Sequence, residues 1–125
     1  MHCVAATPGA DLHPALDGSR VDTQVRKGQG TPAYSAFEAV TGTGTSLHQV
    51  LVTHGITDVD ICGIATDHCV LASATDARTY GYTTTVLLDL CTGVNPETIH
   101  TALSAMTAAG VILDHSSRWE RTQMV

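Results

Sequence analysis

The residues best able to do covalent chemistry lie in the segment GIATDHCV, residues 63–70. The alternating run DVDI precedes this segment, and LASATDARTYGY, which has a helical pattern, follows it. Cys69 is therefore predicted at the junction of a strand with the first turn of a helix. A helix N-terminus carries partial positive charge and unpaired backbone N–H groups, which favour a thiolate and can bind an oxyanion. The position predicts a nucleophilic cysteine.

A structural reading of the same cysteine stays open at this point. Free cysteines are mostly buried and inert, so a small apolar thiol at the start of a helix would give the same pattern. Thr66 or Asp67 could cap that helix. A second candidate group is Lys27, which follows the strand-like run DTQVR. A lysine at a strand end is most often a solvated charge, so the two residues become a site only in combination.

Metal and phosphate motifs are weak in this sequence. The seven histidines include no i,i+4 pair that would share one helix face. A catalytic metal needs about three protein ligands, and no local cluster offers them. The stretch KGQG lacks the remainder of a phosphate-binding loop. We therefore set a nucleotide site aside.

Composition excludes several function classes. The net charge is −6, and only six basic residues are present, so we expect no nucleic-acid partner. No apolar run is long enough to cross a membrane, and the N-terminus does not resemble a signal peptide. Four cysteines in a chain of 125 residues, with Cys62 in a buried strand pattern, indicate reduced thiols. These features predict a cytoplasmic protein with no membrane association.

Strand and helix patterns alternate along the chain. Helical patterns cover residues 46–55, 69–81 and 95–110, and a loop at 28–45 has a helical turn near residues 34–37. Strands are predicted at residues 22–26, 58–64, 83–90 and 111–114, and residues 117–125 form a polar tail. This order predicts an α/β fold with a parallel sheet. Ligands bind beyond the carboxyl ends of such strands, where Lys27 and Cys69 both fall.

Four motifs together resemble a known family. They are HCVAATPGADLHPAL, KG followed by AYSAFE, GIATDHCV, and DLCTGV, and they extend from His2 to about Ser116. In combination they resemble the C-terminal part of nicotinamidases (pyrazinamidases), which are cysteine hydrolases of the isochorismatase-like superfamily. The resemblance implies a three-layer Rossmann-like parallel sheet (isochorismatase-like). Residues 1–125 would be the C-terminal portion of a single hydrolase domain.

The resemblance also implies an activity and a set of site residues. Family members convert nicotinamide to nicotinate and ammonia through a cysteine thioester, in NAD salvage. Cys69 matches the nucleophile, Lys27 the catalytic lysine, and the N–H groups of Ala65 and Cys69 the oxyanion hole. The bond matching Ile64–Ala65 is a cis peptide in the family. Residues matching the substrate pocket are Ile64, Ala65, Tyr34 and His68, and His2 matches one ligand of a divalent metal (Zn, Fe or Mn).

Other parts of the family pattern have no match in this sequence. The strand that carries the catalytic aspartate and the remaining metal ligands is absent, and Met1 directly precedes His2, which belongs to a mid-chain motif in the family. We therefore expect an N-terminally truncated chain that is nearly inactive and does not hold the metal alone. It would self-associate or need a missing N-terminal half. The alternatives are a hydrolase of another small amide, and a non-catalytic fragment.

Overall fold

The structure, a computed structural model, describes Ala15, residues 21–28 and residues 33–117. Within these ranges, three strands alternate with helices. The strands are β1 (Asp58–Ile64), β2 (Thr83–Thr92) and β3 (Ile112–Asp114). The α-helices are α1 (Leu47–Thr53), α2 (Leu71–Thr79) and α3 (Pro96–Ala108). A 3₁₀ turn covers Ala36–Glu38, and a π-helical turn, Thr66–Val70, runs directly into α2.

The three strands form one parallel sheet in the order β1-β2-β3. Asp58 lies opposite Thr83 at the start of the β1–β2 ladder, and Thr85 opposite Ile112 at the start of the β2–β3 ladder. Parallel neighbours require crossover connections, which α2 and α3 supply. The α/β fold with a parallel sheet is therefore confirmed. No helix of the described ranges has the length and hydropathy needed to cross a bilayer.

The core lies where α2 and α3 pack on the sheet. Its fully or nearly fully buried members are Val70, Ala74, Val86, Ala102, Met106 and Val111. Ala102 and Met106 are four residues apart, so they lie on one face of α3. Val70, the last residue of the π-helical turn, belongs to this cluster. The turn that contains the candidate nucleophile is thus anchored directly in the core.

The ends of α3 follow from local sequence. The Asn95 side chain accepts a hydrogen bond from the Glu97 N–H at 2.8 Å, and Pro96 occupies the first helical position. Gly110, just past the helix, has φ +91°, a conformation that favours glycine. The predicted cap, the proline and the terminal glycine are all confirmed.

Three sequence-based predictions are wrong. The predicted strand at residues 22–26 is reduced to one antiparallel bridge, between Arg26 and Val40, because a single pair of residues sustains no ladder. Cys62, predicted to be buried, is exposed, because β1 alternates exposed and half-buried residues and Cys62 is one of the exposed ones. The helix predicted from Cys69 begins as an α-helix only at Leu71.

Candidate active site

Cys69 lies inside the π-helical turn and not at the N-terminus of an α-helix. The Ala65 carbonyl accepts the N–H of His68 at 3.1 Å and the N–H of Val70 at 3.0 Å. The two residues that flank Cys69 are therefore bonded to the same oxygen. Cys69 itself is half-buried, between the buried Val70 and the exposed His68. Neither Thr66 nor Asp67 caps this turn, contrary to the sequence-based expectation, since its cap position is Ala65 and carries no side-chain bond.

The strand before this turn ends in a distinctive backbone. The β1–β2 register is interrupted between Ile61 and Gly63, and Gly63 has φ +125°. The Ile64–Ala65 peptide bond is cis, as the family resemblance implied. Ala65 is buried, whereas Ile64 is 78% exposed. The chain therefore leaves the sheet abruptly at the point where the cysteine turn begins.

A cavity of about 430 Å³ adjoins the cysteine turn. Cys69, Lys27 and Ile64, which the sequence nominated separately, all contribute to its wall. The rest of the wall comes from the 3₁₀ turn, α1, β1, the last residue of the π-helical turn and the start of α2: Ala36, Phe37, Leu47, Leu51, Val59, Asp60, Ile61, Cys62, Val70 and Ser73. A mostly apolar cavity with a few polar groups is typical of a small-molecule site.

Lys27 is placed by backbone contacts on both sides of it. Arg26 and Val40 exchange two backbone hydrogen bonds, of 2.8 and 3.0 Å. The Lys27 ammonium donates to the backbone carbonyl of Tyr34. Gly28 follows with φ +71°, a backbone conformation that favours glycine. The ammonium is thereby held at the cavity although its strand was predicted incorrectly.

The 3₁₀ turn is fastened to α2 on the other side of the cavity. The N–H of Ala36 donates to the Ser73 hydroxyl at 2.8 Å, and Ser73 is buried. Ser35 and Glu38 form a capping box that closes the turn. Sequence reasoning missed Ser73, because a serine in a helix interior carries no signal of a partner 37 residues away.

Tyr34 and His68 lie against each other outside the cavity wall. Their rings stack at a centroid distance of 5.9 Å with an interplanar angle of 24°. Tyr34 is 61% exposed, and His68 is also exposed. Ala65 is likewise absent from the wall, although its neighbour Ile64 belongs to it. The structure thus brings Tyr34 next to the cysteine turn without showing either ring inside the cavity.

Asp67 is a site feature that sequence reasoning assigned to the wrong partner. Its side chain is fully buried. It accepts hydrogen bonds from the Thr98 hydroxyl at 2.5 Å, the Val94 N–H at 3.0 Å and the Asn95 N–H at 3.2 Å. The Thr98 bond above all, with the two backbone bonds, lowers the pKa of Asp67 to about 2, against the opposing effect of burial. No spacing rule pairs residue 67 with residue 98.

The described cysteines differ in their surroundings. Cys62, Cys69 and Cys91 are all free thiols. Burial raises the pKa of Cys91, whose Sγ donates to the Leu87 carbonyl at 3.3 Å. A raised pKa keeps the Cys91 thiol protonated and a poor nucleophile. Cys62 and Cys69 share the cavity, but only Cys69 lies in a turn of backbone N–H groups.

The described residues do not fit a metal centre. No group of three or more His, Cys, Asp or Glu side chains is placed to hold an ion anywhere in residues 21–28 and 33–117. His2, the metal ligand that the resemblance implies, lies outside the described residues.

Comparison with known proteins points to one family. A profile of the isochorismatase domain matches residues 1–117. The nicotinamidase/pyrazinamidase of Mycobacterium tuberculosis is 49% identical over 116 residues, which cover 93% of this chain and 62% of that protein. The profile match includes every residue that the structure describes, and therefore the described candidate site residues. This chain spans about three-fifths of the length of that relative.

Solved structures agree with the sequence comparison. The crystal structure of PnC1 from L. infantum in complex with nicotinate superposes with a TM-score of 0.83 at 38% identity, covering 93% of this chain and 60% of that one. The pyrazinamidase of Pyrococcus horikoshii, in complex with zinc, superposes with a TM-score of 0.77 at 36% identity. The superposition covers 92% of this chain and 62% of the P. horikoshii chain.

Proposed function

We propose that this chain, which belongs to the isochorismatase family, contains the part of a nicotinamidase-type amide hydrolase site that includes the nucleophile. The observation that carries the proposal is the shared cavity of Cys69 and Lys27. These two residues come from distant parts of the sequence, and they match the nucleophile and the lysine of the family. The proposed reaction converts nicotinamide to nicotinate and ammonia and would serve NAD salvage in the cytoplasm.

The proposed mechanism uses the Cys69 sulfur as the nucleophile. The thiolate attacks the carboxamide carbon, and the carbonyl oxygen becomes an oxyanion held by the N–H groups of Ala65 and Cys69. The C–N bond then breaks, and the leaving nitrogen takes up the proton that the thiol gave, so ammonia departs. Water cleaves the remaining thioester, which releases the carboxylic acid and restores the thiol.

Lys27 supplies the positive charge of the proposed site. Its ammonium is fixed by the Tyr34 carbonyl at the same cavity as the sulfur. A cation close to a thiol favours the thiolate, which is the reactive form. The apolar wall contributed by Phe37, Leu47 and Leu51 suits an aromatic amide, because it offers surface to a flat ring.

Ammonia release from nicotinamide tests the proposal. The assay compares the 125-residue chain with a version joined to the part of the M. tuberculosis relative that this chain leaves unmatched. We expect hydrolysis by the joined protein. The 125 residues alone should be about 10²- to 10⁴-fold slower, since their motifs include no match to the family's general base.

Two cysteine variants of the joined protein identify the nucleophile. Cys69→Ala should lower the rate at least about 1,000-fold, because it removes the attacking atom. Cys62→Ala, which changes another thiol of the same cavity, should retain most of the activity. Undiminished hydrolysis by Cys69→Ala would refute the proposal. Preference for a ureido or N-carbamoyl compound over nicotinamide would retain the mechanism but assign another substrate.

A further inference from the structure

We propose that Asp67 is a positioning residue for Cys69, and that its buried carboxylate fixes the cysteine turn to the residues that lead into α3. The proposal rests on the function proposed above for Cys69. It adds a residue whose side chain has no contact with the cavity. Asp67 lies two residues before the nucleophile and is absent from the cavity wall.

The main hydrogen bonds of the Asp67 carboxylate come from residues outside its own turn. Its two carboxylate oxygens accept from Val94, Asn95 and Thr98, which belong to the segment 94–98 between β2 and the first turn of α3. None of these three donors is charged. The His68 imidazole is the nearest basic group with a recorded approach, at 3.9 Å. The carboxylate is therefore satisfied almost wholly by a cradle of neutral donors.

Burying a charged carboxylate costs free energy, so a side chain whose only role was to fill space would not be expected to be an aspartate. A buried charge needs several well-placed hydrogen bonds to offset lost hydration, and an apolar side chain would fill the same volume without that requirement. Directional bonds to two backbone N–H groups provide something that packing does not, because they fix orientation. The position of this cradle beside the nucleophile suggests what is being oriented.

Gly93 supplies a second observation. A Cβ at this position would lie 3.3 Å from the Asp67 Oδ1 and 2.3 Å from two carbons of Ile99. The segment that receives the carboxylate can approach this closely because residue 93 has no side chain. The contact therefore depends on both partners: the Asp67 carboxylate in the π-helical turn and the missing side chain of Gly93 before the segment 94–98.

Cys69 is held between two anchors as a result. On one side Asp67 is bonded to the start of α3, and on the other Val70 is packed in the core. The Ala65 carbonyl joins the two sides through its bonds to His68 and Val70. Because Asp67 and Val70 are both fixed, the Cys69 sulfur can point in fewer directions. Misplacement of a reacting atom by about 1 Å can lower a reaction rate roughly 10²-fold.

The test measures the alkylation rate of each thiol in the folded 125-residue chain with iodoacetamide, using mass spectrometry to resolve Cys69 from Cys62 and Cys91. Asp67→Asn should slow Cys69 about 10-fold or more relative to Cys62 in the same molecule. Electrostatics alone predicts the opposite sign. Removing a negative charge near the sulfur favours the thiolate, so an unchanged or faster Cys69 would overturn the proposal.

Two further variants separate positioning from charge and from general destabilisation. Asp67→Glu keeps the charge but lengthens the side chain, so it should also slow Cys69. A rate equal to that of the unaltered chain would show that charge alone matters and would refute positioning. Asp89→Asn removes another hydrogen-bonded carboxylate, which contacts Ser116 just past β3, at the opposite edge of the described sheet from β1. This variant should leave the alkylation rate of Cys69 unchanged. Slowing equal to that of Asp67→Asn would refute the proposal, because the effect would then not be specific to the carboxylate near Cys69.

The result is independent of the amide assay. If nicotinamide is not hydrolysed but Asp67→Asn still slows Cys69, the proposed reaction fails and the positioning stands. If hydrolysis is found and the Cys69 rate does not respond to residue 67, only the positioning fails. In a hydrolytically active joined protein, Asp67→Asn should lower kcat and leave KM nearly unchanged, because residue 67 does not line the cavity.

Discussion

Three of the polar side chains in the cavity wall, those of Lys27, Ser73 and Cys69, belong to segments that are fixed by specific hydrogen bonds. Lys27 is bound by the Tyr34 carbonyl, and Ser73 is engaged by the Ala36 N–H. Cys69 lies in a turn bonded to the Ala65 carbonyl. Since the remaining wall is largely apolar, a single altered charge should change the reactivity of the sulfur measurably.

Lys27→Met tests whether one charge in the cavity controls the reactivity of the Cys69 sulfur. Methionine keeps most of the apolar stem but removes the ammonium, so the Cys69 thiolate loses its nearby cation. We expect slower alkylation of Cys69 near neutral pH and a 10²- to 10⁴-fold lower amidase rate, roughly the range known for acid–base groups. Arg26→Met is the matched control, since it removes a neighbouring cation that does not line the cavity. Equal effects of the two substitutions would contradict a specific role of Lys27.

The lowered pKa of Asp67 predicts a dependence of stability on acid. The folded value of about 2 lies below the ordinary 3.8, so the ionised carboxylate stabilises the folded chain. This contribution is fully present above about pH 4 and is lost as the pH falls towards 2. Urea unfolding over that window should show a steeper loss for the unaltered chain than for Asp67→Asn. The Asp89 pKa is also lowered, by Ser116, but Asp89 titrates in both proteins and cancels. Parallel curves would contradict the assignment.

At the level of elements, some of the site follows from sequence and some does not. β1 was predicted with its observed bounds, and α3 with its cap, because alternation and capping residues are local signals. The π-helical turn was missed, since no local signal in residues 66–70 distinguishes a π-helical turn from an α-helical one. The fixed position of Lys27 depends on Val40 and Tyr34, and no local pattern reports contacts across a loop.

Gly93→Ala tests the contact between the cysteine turn and α3. The added methyl group would overlap Ile99 at 2.3 Å and press on Asp67, so the segment must move. We expect a loss of about 1–3 kcal/mol in the free energy of unfolding, as is usual for overpacking. Gly42→Ala is the control, because its Cβ would meet nothing within 4 Å, and it should change stability by less than about 0.5 kcal/mol. Equal unfolding midpoints would show that the contact is loose.

At the scale of the whole molecule, β1 pairs with β2 on one side, and no strand of the described residues pairs with its other side. Cys62 and Ile64 are exposed on this strand and line the cavity. Solved relatives superpose well on the chain, yet about two-fifths of their length has no counterpart in it. An unpaired strand edge is a surface on which another chain can add.

We expect the 125-residue chain to associate with itself through the edge of β1. Sedimentation velocity under reducing conditions, where disulfides cannot form, tests this. The 125-residue chain should associate increasingly with concentration. Cys62→Lys should weaken the association, because a lysine on an edge strand opposes strand addition. Ala105→Lys adds the same charge to an exposed position of α3 and should have little effect. A chain that stays monomeric throughout, or one equally affected by both lysines, would contradict an edge-mediated contact.

The bond between the Lys27 ammonium and residue 34 has an evolutionary consequence, because its acceptor is a main-chain oxygen. Exchange of the exposed aromatic ring at residue 34 would alter what an incoming molecule meets near His68 and leave the carbonyl in place. Ligand preference and the reactive centre can therefore diverge separately at this position. A single codon could broaden or narrow the range of accepted compounds while the ammonium stays where it is.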